Sequence, residues 1–312
     1  MALVVATSVL AVGGTAVGCG GGSGDTIRID GSSTVAPLSE AAAEQFQAEH
    51  HVPVTVGTSG TGGGLARFCR GETDIADASR PIKDDEAAAC SDSGVTFEEL
   101  TVANDGLSVV INPENDWAGC LTTDQLRTIW DRGSDVDNWN QVDPSFPDEP
   151  LELFGPGTDS GTFDFFSEAI NGEGGRQRSD YNNVGEDDNA TVTGVSGSRG
   201  GMGYLGFSFV QENADKVVAA EIDSGQGCVA PNAETVQAGE YEPLGRPLFV
   251  YPSGDAVARQ DVHEFLQFYI DENDSIAAQA LLIPLADDQR AAARRQIASL
   301  ASRVAGRTET TE

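Results

Sequence analysis

The chain has 312 residues, of which 18 are Lys or Arg and 50 are Asp or Glu, so its formal net charge at pH 7 is −32. A field of this sign opposes nucleic acids and anionic lipid surfaces, and it repels an approaching anion except where local donors are well oriented. A length of 312 residues is long for a single domain and favours two lobes.

The first 18 residues are predicted to be a signal peptide. Residues 3–17 are almost wholly apolar or small, and they are too short to span a bilayer. Small residues before Cys19 resemble a lipoprotein cleavage site, so Cys19 is predicted to be lipidated and residues 19–25 to form a flexible tether. No Lys or Arg precedes the apolar stretch, and a cleaved secretory signal with Cys19 incidental is the alternative.

From residue 26 onward the sequence predicts strands that alternate with helices. The predicted strands are 26–29, 52–56, 74–80, 107–112, 151–154 and 246–251. The predicted helices are 35–49, 65–70, 122–130, 163–170, 256–270 and 275–295, with a loop over 135–150. This alternation is typical of α/β layers with largely parallel sheets, in which ligands bind at the carboxyl ends of the strands.

Three segments place small hydroxyl and glycine residues directly before a predicted helix. They are DGSSTV at 30–35, SGTGGG at 59–64 and GTDSGT at 157–162. A helix start binds an oxyanion through its unpaired N–H groups and its dipole, and Ser or Thr adds a hydroxyl donor. Three such starts predict a buried site for a tetrahedral oxyanion.

Four cysteines follow Cys19, and an even number in an exported protein predicts two disulfides. Three pairings are possible, of which we favour Cys69–Cys90 and Cys120–Cys228. No CxxC or Cys/His spacing indicates zinc, and neither a metal nor a cofactor is predicted.

The motifs together resemble the periplasmic phosphate-binding proteins of phosphate ABC importers. The segments that carry the resemblance are 30–37, 59–64, 74–81, 155–163, 200–206 and 246–249. The resemblance implies an α/β, two-lobed type II periplasmic-binding-protein fold, with crossover strands near 103–112 and 245–251. The implied division is lobe I over 26–105 and 249–306, lobe II over 106–248, and a disordered tail over 307–312.

The resemblance also implies which residues contact phosphate. Donors would come from the helix starts and from the end of strand 74–80, namely Ser33, Thr34, Ser59, Thr61, Ser79, Ser160, Gly161 and Thr162. Arg80 replaces the Asp with which the family accepts the phosphate proton, and Pro156 replaces an Arg. Arg80 is expected to offer a guanidinium fork to two phosphate oxygens; a surface salt bridge is the alternative.

A carboxylate that accepts the phosphate proton would disfavour sulfate, which has no proton to donate. Asp159 is the first candidate for this acceptor, with a helix cap as its alternative role. Asp187 is the second candidate.

The predicted function is the capture of inorganic phosphate between two lobes and its delivery to the permease subunits of an ABC importer. The protein is expected to be a monomeric, extracytoplasmic lipoprotein, attached to the membrane only by its lipid, and not an enzyme. A binding protein for sulfate or molybdate is the closer alternative. A serine hydrolase is the other, because 159–161 echo a protease serine, yet no signature surrounds His50, His51 or His263.

Overall fold

The computed structural model describes residues 26–158, 160–185 and 187–309. Its strands are β1 (Ile27–Gly31), β2 (Val54–Gly57), β3 (Ile75–Ala78), β4 (Leu100–Ile111), β5 (Cys120–Thr122), β6 (Glu152–Gly155), β7 (Asn182–Asn183), β8 (Gly201–Gly206), β9 (Val218–Ala219), β10 (Glu221–Asp223), β11 (Cys228–Val229) and β12 (Gly245–Pro252). Its helices are α1 (Ala36–His50), α2 (Thr61–Cys69), α3 (Asp84–Asp92), α4 (Thr123–Trp130), α5 (Trp139–Val142), α6 (Gly161–Asn171), α7 (Asp188–Gly197), α8 (Phe207–Glu212), α9 (Ala233–Gln237), α10 (Gly254–Val257), α11 (Gln260–Asp271), α12 (Asn273–Gln279) and α13 (Asp287–Glu309). The predicted signal peptide, Cys19 and the tether lie outside the described residues.

The described strands form a nine-stranded sheet of order β2-β1-β3-β12-β4-β8-β6-β7, with β9 on β4, and a three-stranded sheet of order β11-β10-β5. Strands β2, β1 and β3 are parallel, and so are β8, β6 and β7. Between these sets, β12 and β4 are antiparallel to each other and to their neighbours. The prediction of largely parallel sheets is therefore wrong at the centre, where the two crossover strands join the lobes.

The two largest hydrophobic clusters of the described residues lie on opposite sides of the middle of β4, and both include residues of that strand. On one side, α1 buries Leu38, Ala42 and Phe46, which recur every four residues along one helix face. Full burial of a side chain such as Phe46 contributes about 1.5–3 kcal/mol. On the other side, Trp130 and Trp139 are fully buried in the second core. Two cores fit the two-lobed fold, and the predicted lobe boundaries stay a prediction.

The single helix predicted over 275–295 is wrong. The chain forms α12, then an irregular segment in which Leu281 has a φ of 56°, and then α13. Pro284 lacks an N–H and disfavours helix at the preceding residue, and Ile283 pairs instead with Asn104 of β4. Helix α13 continues through Glu309, and the disordered tail predicted over 307–312 stays a prediction.

Three other predicted elements differ from the structure. Strand β4 begins at Leu100 instead of 107. The sequence pattern did not predict this earlier start, because the polar Asn104 and Asp105 interrupt the apolar run although both are buried. The predicted loop over 135–150 contains the short helix α5, which has a capping box of Asn138 and Gln141. The helix predicted over 256–270 is divided into α10 and α11.

Both predicted disulfides are present. Cys69 at the end of α2 joins Cys90 in α3, and Cys120 in β5 joins Cys228 in β11. The joined cysteines are 21 and 108 residues apart in sequence. In the chain-entropy model, loops of these lengths stabilise the fold by roughly 3 and 4–5 kcal/mol.

Helix α2 crosses β1 in direct backbone contact at Gly64. A Cβ at Gly64 would lie 2.4 Å from Gly31 Cα and 2.6 Å from the Asp30 carbonyl oxygen. We expect Gly64→Ala to lower the free energy of unfolding by at least about 1–3 kcal/mol, because neither backbone atom can move away cheaply. Urea unfolding measures the change, with Gly197→Ala in α7 as the control, since its Cβ meets nothing within 4 Å. Equal stability of the two variants would contradict the close contact.

Asp77 of β3 is fully buried between the sheet and α1. Its Oδ1 accepts a hydrogen bond from Ser39 Oγ at 3.0 Å, and Ser39 Oγ lies 3.0 Å from Tyr269 Oη. Its Oδ2 has no hydrogen-bond partner among the described residues. Burial raises the pKa of Asp77 from its ordinary 3.8 to about 7.

Candidate functional site

The first predicted loop joins β1 to α1 and is fixed by its own hydrogen bonds. Ser32 N donates to the Asp77 carbonyl oxygen at 2.9 Å, and Thr34 N donates to Ser32 Oγ at 3.2 Å. Pro37 lies in the first turn of α1, where its fixed φ suits a helix start. The loop therefore holds Ser33 and Thr34 at the carboxyl end of β1.

The second loop joins β2 to α2 and lies against the first. Ser59 N donates to Asp30 Oδ1 at 2.9 Å, and the other oxygen of Asp30 accepts from Arg67. Ser79 N donates to Thr61 Oγ1 at 3.2 Å, and the hydroxyl groups of these two residues are also 3.2 Å apart. The start of α2 and the end of β3 are thus joined through Thr61.

The third loop brings the start of α6 from the other lobe. Ser160 is the N-cap of α6, and its Oγ accepts from Thr162 N at 3.3 Å. A Cβ at Gly161 would lie 3.4 Å from Thr34 Oγ1 and 3.7 Å from Ser33 Oγ. The first and third helix starts therefore face each other across a narrow cleft.

Two neighbouring cavities lie in this cleft. We call the first, of about 240 Å³, the anion cavity; it is lined by Ser32, Ser33, Thr34, Gly60, Thr61, Gly62, Ser79, Arg80, Gly161, Asp164, Phe165, Glu168 and Arg246. The adjoining cavity, of about 350 Å³, is lined by Ser33, Thr34, Pro37, Asp105, Leu107, Ser160, Gly161, Thr162, Gly206, Arg246, Leu281 and Leu282. All three helix starts contribute to the lining of the anion cavity.

The predicted site residues lie at three kinds of position. Those that line the anion cavity are Ser33, Thr34, Thr61, Ser79, Arg80 and Gly161. Ser160 and Thr162 line the adjoining cavity instead. Ser59 lines neither cavity, and its Oγ would lie 3.1 Å from a Cβ at Gly63.

Neither predicted proton acceptor has a described place in the cleft. Asp159 lies outside the described residues. Asp187 caps α7, where its Oδ1 accepts from Asn189 N at 3.0 Å and Ala190 N at 3.3 Å, and it lines neither cavity. The side chain of Asp187 thus serves as a helix cap, and its role as proton acceptor stays a prediction.

Arg80 has one edge in an ion pair and another edge available. Its Nη1 and Nη2 donate to the two carboxylate oxygens of Glu86 at 2.9 and 2.8 Å, and Nη1 also donates to the Pro81 carbonyl oxygen at 3.0 Å. The hydrogen bond from Arg80 to Glu86 raises the pKa of Arg80 and lowers that of Glu86. Among contacts of the described residues, Nε donates to none and Nη2 donates only to Glu86. The Nε–Nη2 edge is thus free to bind two oxygens of an anion.

Four residues that line the anion cavity lie outside the three predicted loops and were not predicted as phosphate contacts. Arg246 of β12 lies in the family-like segment 246–249 but was not predicted to contact phosphate, and Phe165 lies in the helix predicted over 163–170. Asp164 and Glu168 lie one helical turn apart on the exposed face of α6, at four and eight residues beyond Ser160. Because residues four apart lie on the same face of a helix, the sequence predicts that the two carboxylates lie next to each other on α6. Burial and the nearby Glu168 raise the pKa of Asp164.

A single group of residues in the described ranges has the composition of a metal site: Cys120, Glu221 and Cys228. Its two cysteines are joined in a disulfide, so they offer no thiolate to a metal. The groups that line the cleft are hydroxyl groups, helix starts and guanidinium groups, which are donors suited to an anion.

Comparisons with known proteins identify the family to which the chain belongs. A family model described as a PBP superfamily domain matches residues 18–273. The chain is 46% identical over 263 residues to Protein SphX of Synechococcus elongatus, which covers 83% of this chain and 77% of that protein. It is 34% identical over 290 residues to the phosphate-binding protein PstS of Staphylococcus epidermidis, and the match covers 89% of this chain and 87% of that protein.

A solved structure extends the comparison to the fold. A possible phosphate binding protein from Planctomyces limnophilus matches with a TM-score of 0.82 and 42% identity, covering 88% of this chain and 98% of that one. Its fold is the two-lobed α/β fold that the resemblance implied. The chain therefore belongs to the periplasmic phosphate-binding protein family of the PBP superfamily.

Proposed function

We propose that the chain binds inorganic phosphate in the anion cavity and delivers it to the permease subunits of an ABC importer. The observation that carries the proposal is that Arg80, whose Nε donates to none of the described residues, lines the same cavity as the helix starts of both lobes. Phosphate offers four oxygens, enough for a bidentate contact with Arg80 together with the hydroxyl groups of Thr34 and Ser33. Dipoles and guanidinium groups capture the anion although the chain as a whole is strongly acidic.

We further propose Asp164 as the acceptor of the phosphate proton. Asp164 and Glu168 line the anion cavity, and neither forms a salt bridge with a described residue. A carboxylate that accepts from hydrogen phosphate leaves sulfate facing an unpaired repulsion. We expect Asp164→Asn to narrow the ratio of phosphate to sulfate affinity by about tenfold or more, the effect of removing one charge-assisted hydrogen bond. An unchanged ratio in calorimetry would exclude Asp164 from this role.

The start of α6 supports a second binding prediction. A methyl group at Gly161 would lie beside the Thr34 and Ser33 hydroxyls, at ordinary contact distance from protein atoms. We expect Gly161→Ala to fold normally but to bind phosphate about 10- to 150-fold more weakly, since the methyl group takes the place of an anion oxygen. Calorimetry measures the loss, and Gly119→Ala is the control because its Cβ meets nothing within 4 Å. Equal affinities of the two variants would contradict the placement of the anion.

The transport role and the location belong to the same proposal. Two disulfides are typical of proteins in an oxidising, extracytoplasmic compartment. None of the helices that the structure describes combines the length and the apolar character that a membrane crossing requires. A lipid on Cys19, a monomeric state and docking to permease subunits remain predictions; mass spectrometry of the native N-terminus tests the lipid.

The experiment that tests the function is calorimetric titration with phosphate, sulfate and molybdate, together with a nitrophenyl-phosphate turnover assay. We expect tight binding of phosphate, weaker binding of the other anions and no turnover. The histidines that a hydrolase would need, His50, His51 and His263, lie at the end of α1 and in α11, and none lines either cavity. Preferential binding of sulfate or molybdate, or measurable turnover, would replace the proposal with the corresponding alternative.

A further inference from the structure

Arg246 of β12 contacts both lobes at the crossover strands. It lies opposite Asp105 of β4, and its Nε and Nη2 donate to Asp105 Oδ2 at 3.2 and 3.1 Å. The centre of its guanidinium lies 3.5 Å from the ring centre of Phe165 in α6. Ion pairing and stacking therefore hold the guanidinium plane in one orientation at the base of the cleft.

The remaining donors of Arg246 are directed by these contacts. Nη2 also donates to Thr34 Oγ1 at 3.3 Å. A hydroxyl oxygen that accepts from a guanidinium keeps its own proton for another acceptor, so Thr34 is oriented as a donor. Nη1 donates to none of the described residues, and it is not fully buried. Arg246 lines the same cavity as Arg80.

We propose that Arg246 is a second cationic phosphate contact, which donates to the anion through Nη1 and turns the Thr34 hydroxyl toward it. This inference rests on the proposed function. Asp105 balances the charge of Arg246 while the cleft is empty, and the anion takes up the donor that Asp105 leaves unused. The guanidinium stays charged in this setting, although burial lowers the pKa of Arg246.

The alternative is a purely structural ion pair between the two crossover strands. The variants Arg246→Gln and Arg246→Gln/Asp105→Asn separate the two roles. Removing Arg246 alone leaves Asp105 unpaired, which destabilises the protein whatever the role of Arg246. The double variant removes both charges, so it leaves neither partner unpaired and keeps the net charge of the chain.

We expect the double variant to recover most of the unfolding temperature of the unliganded protein while phosphate affinity stays about 10- to 150-fold weak. Circular dichroism and calorimetry measure the two quantities. Arg176→Gln, which breaks an exposed ion pair with Asp131, is the matched control and should bind phosphate normally. If Arg246→Gln does not fold, the double variant alone carries the test.

Recovery of both stability and affinity in the double variant would overturn the role of Arg246 in binding, while the proposed function would stand. Failure of the unmodified protein to bind phosphate would overturn the proposed function, and the inference about Arg246 with it.

Discussion

Arg80→Gln is expected to weaken phosphate binding at least 10- to 150-fold while the protein stays folded. The Nε–Nη2 edge is the part of Arg80 that we assign to the anion, and the loss of a bidentate, charge-assisted contact costs at least one hydrogen bond to a charged group. Glu86 would lose its partner, but it keeps a hydrogen bond from Lys83 N at 2.9 Å. Titration calorimetry measures the affinity, and the thermal unfolding curve reports the fold.

Arg70→Gln is the matched control for Arg80→Gln. Arg70 also forms an ion pair with a glutamate, Glu72, but it lines neither cavity and its side chain is 57% exposed. We expect this control to bind phosphate as the unmodified protein does. Full affinity in Arg80→Gln would show that Arg80 forms only a surface salt bridge with Glu86, the alternative that the sequence had left open.

Asp77→Asn is expected to change how stability depends on pH. The pKa of Asp77 is about 7 in the folded protein and 3.8 as its ordinary value, so the folded protein holds a proton that the unfolded chain loses. The stability that this proton contributes is complete below pH 3.8 and is lost as pH rises through about 7. A difference of about three between the two pKa values corresponds to roughly 4 kcal/mol.

The free energy of unfolding of the unmodified protein, minus that of Asp77→Asn, should therefore fall by several kcal/mol between about pH 4 and pH 7.5 and then become constant. Urea unfolding at a series of pH values measures this difference, in which the contributions of all other titrating groups cancel. Parallel pH profiles for the two proteins would contradict a raised pKa for the buried carboxyl group.

The parts of the site that depend on residues adjacent in the sequence could be predicted from the sequence. The three helix starts are encoded in short runs of Gly, Ser and Thr, and Ser160 caps α6 within its own motif. The central sheet was harder to predict, because pairing between β4 and β12 joins residues far apart in the chain, such as Asp105 and Arg246. No local pattern shows that Arg246 reaches Thr34, more than 200 residues away.

The two C-terminal helices illustrate a second limit of sequence reasoning. An apolar, alanine-rich pattern continues across 275–295, which favours one helix. The break follows from Pro284 together with the pairing of Ile283 with Asn104, a contact made only in the folded protein. The place of Asp164 was hard to predict for a similar reason, since the packing of α6 in the folded protein brings this side chain to the cavity.

The most direct test of the phosphate site is a crystal structure of the protein grown with phosphate. We expect the anion in the anion cavity, with two oxygens within hydrogen-bond distance of Arg80 Nε and Nη2. Other oxygens should accept from the Thr34 hydroxyl and from the backbone at the start of α6. A phosphate bound elsewhere, or bound in the cavity with no contact to Arg80, would contradict the proposed site.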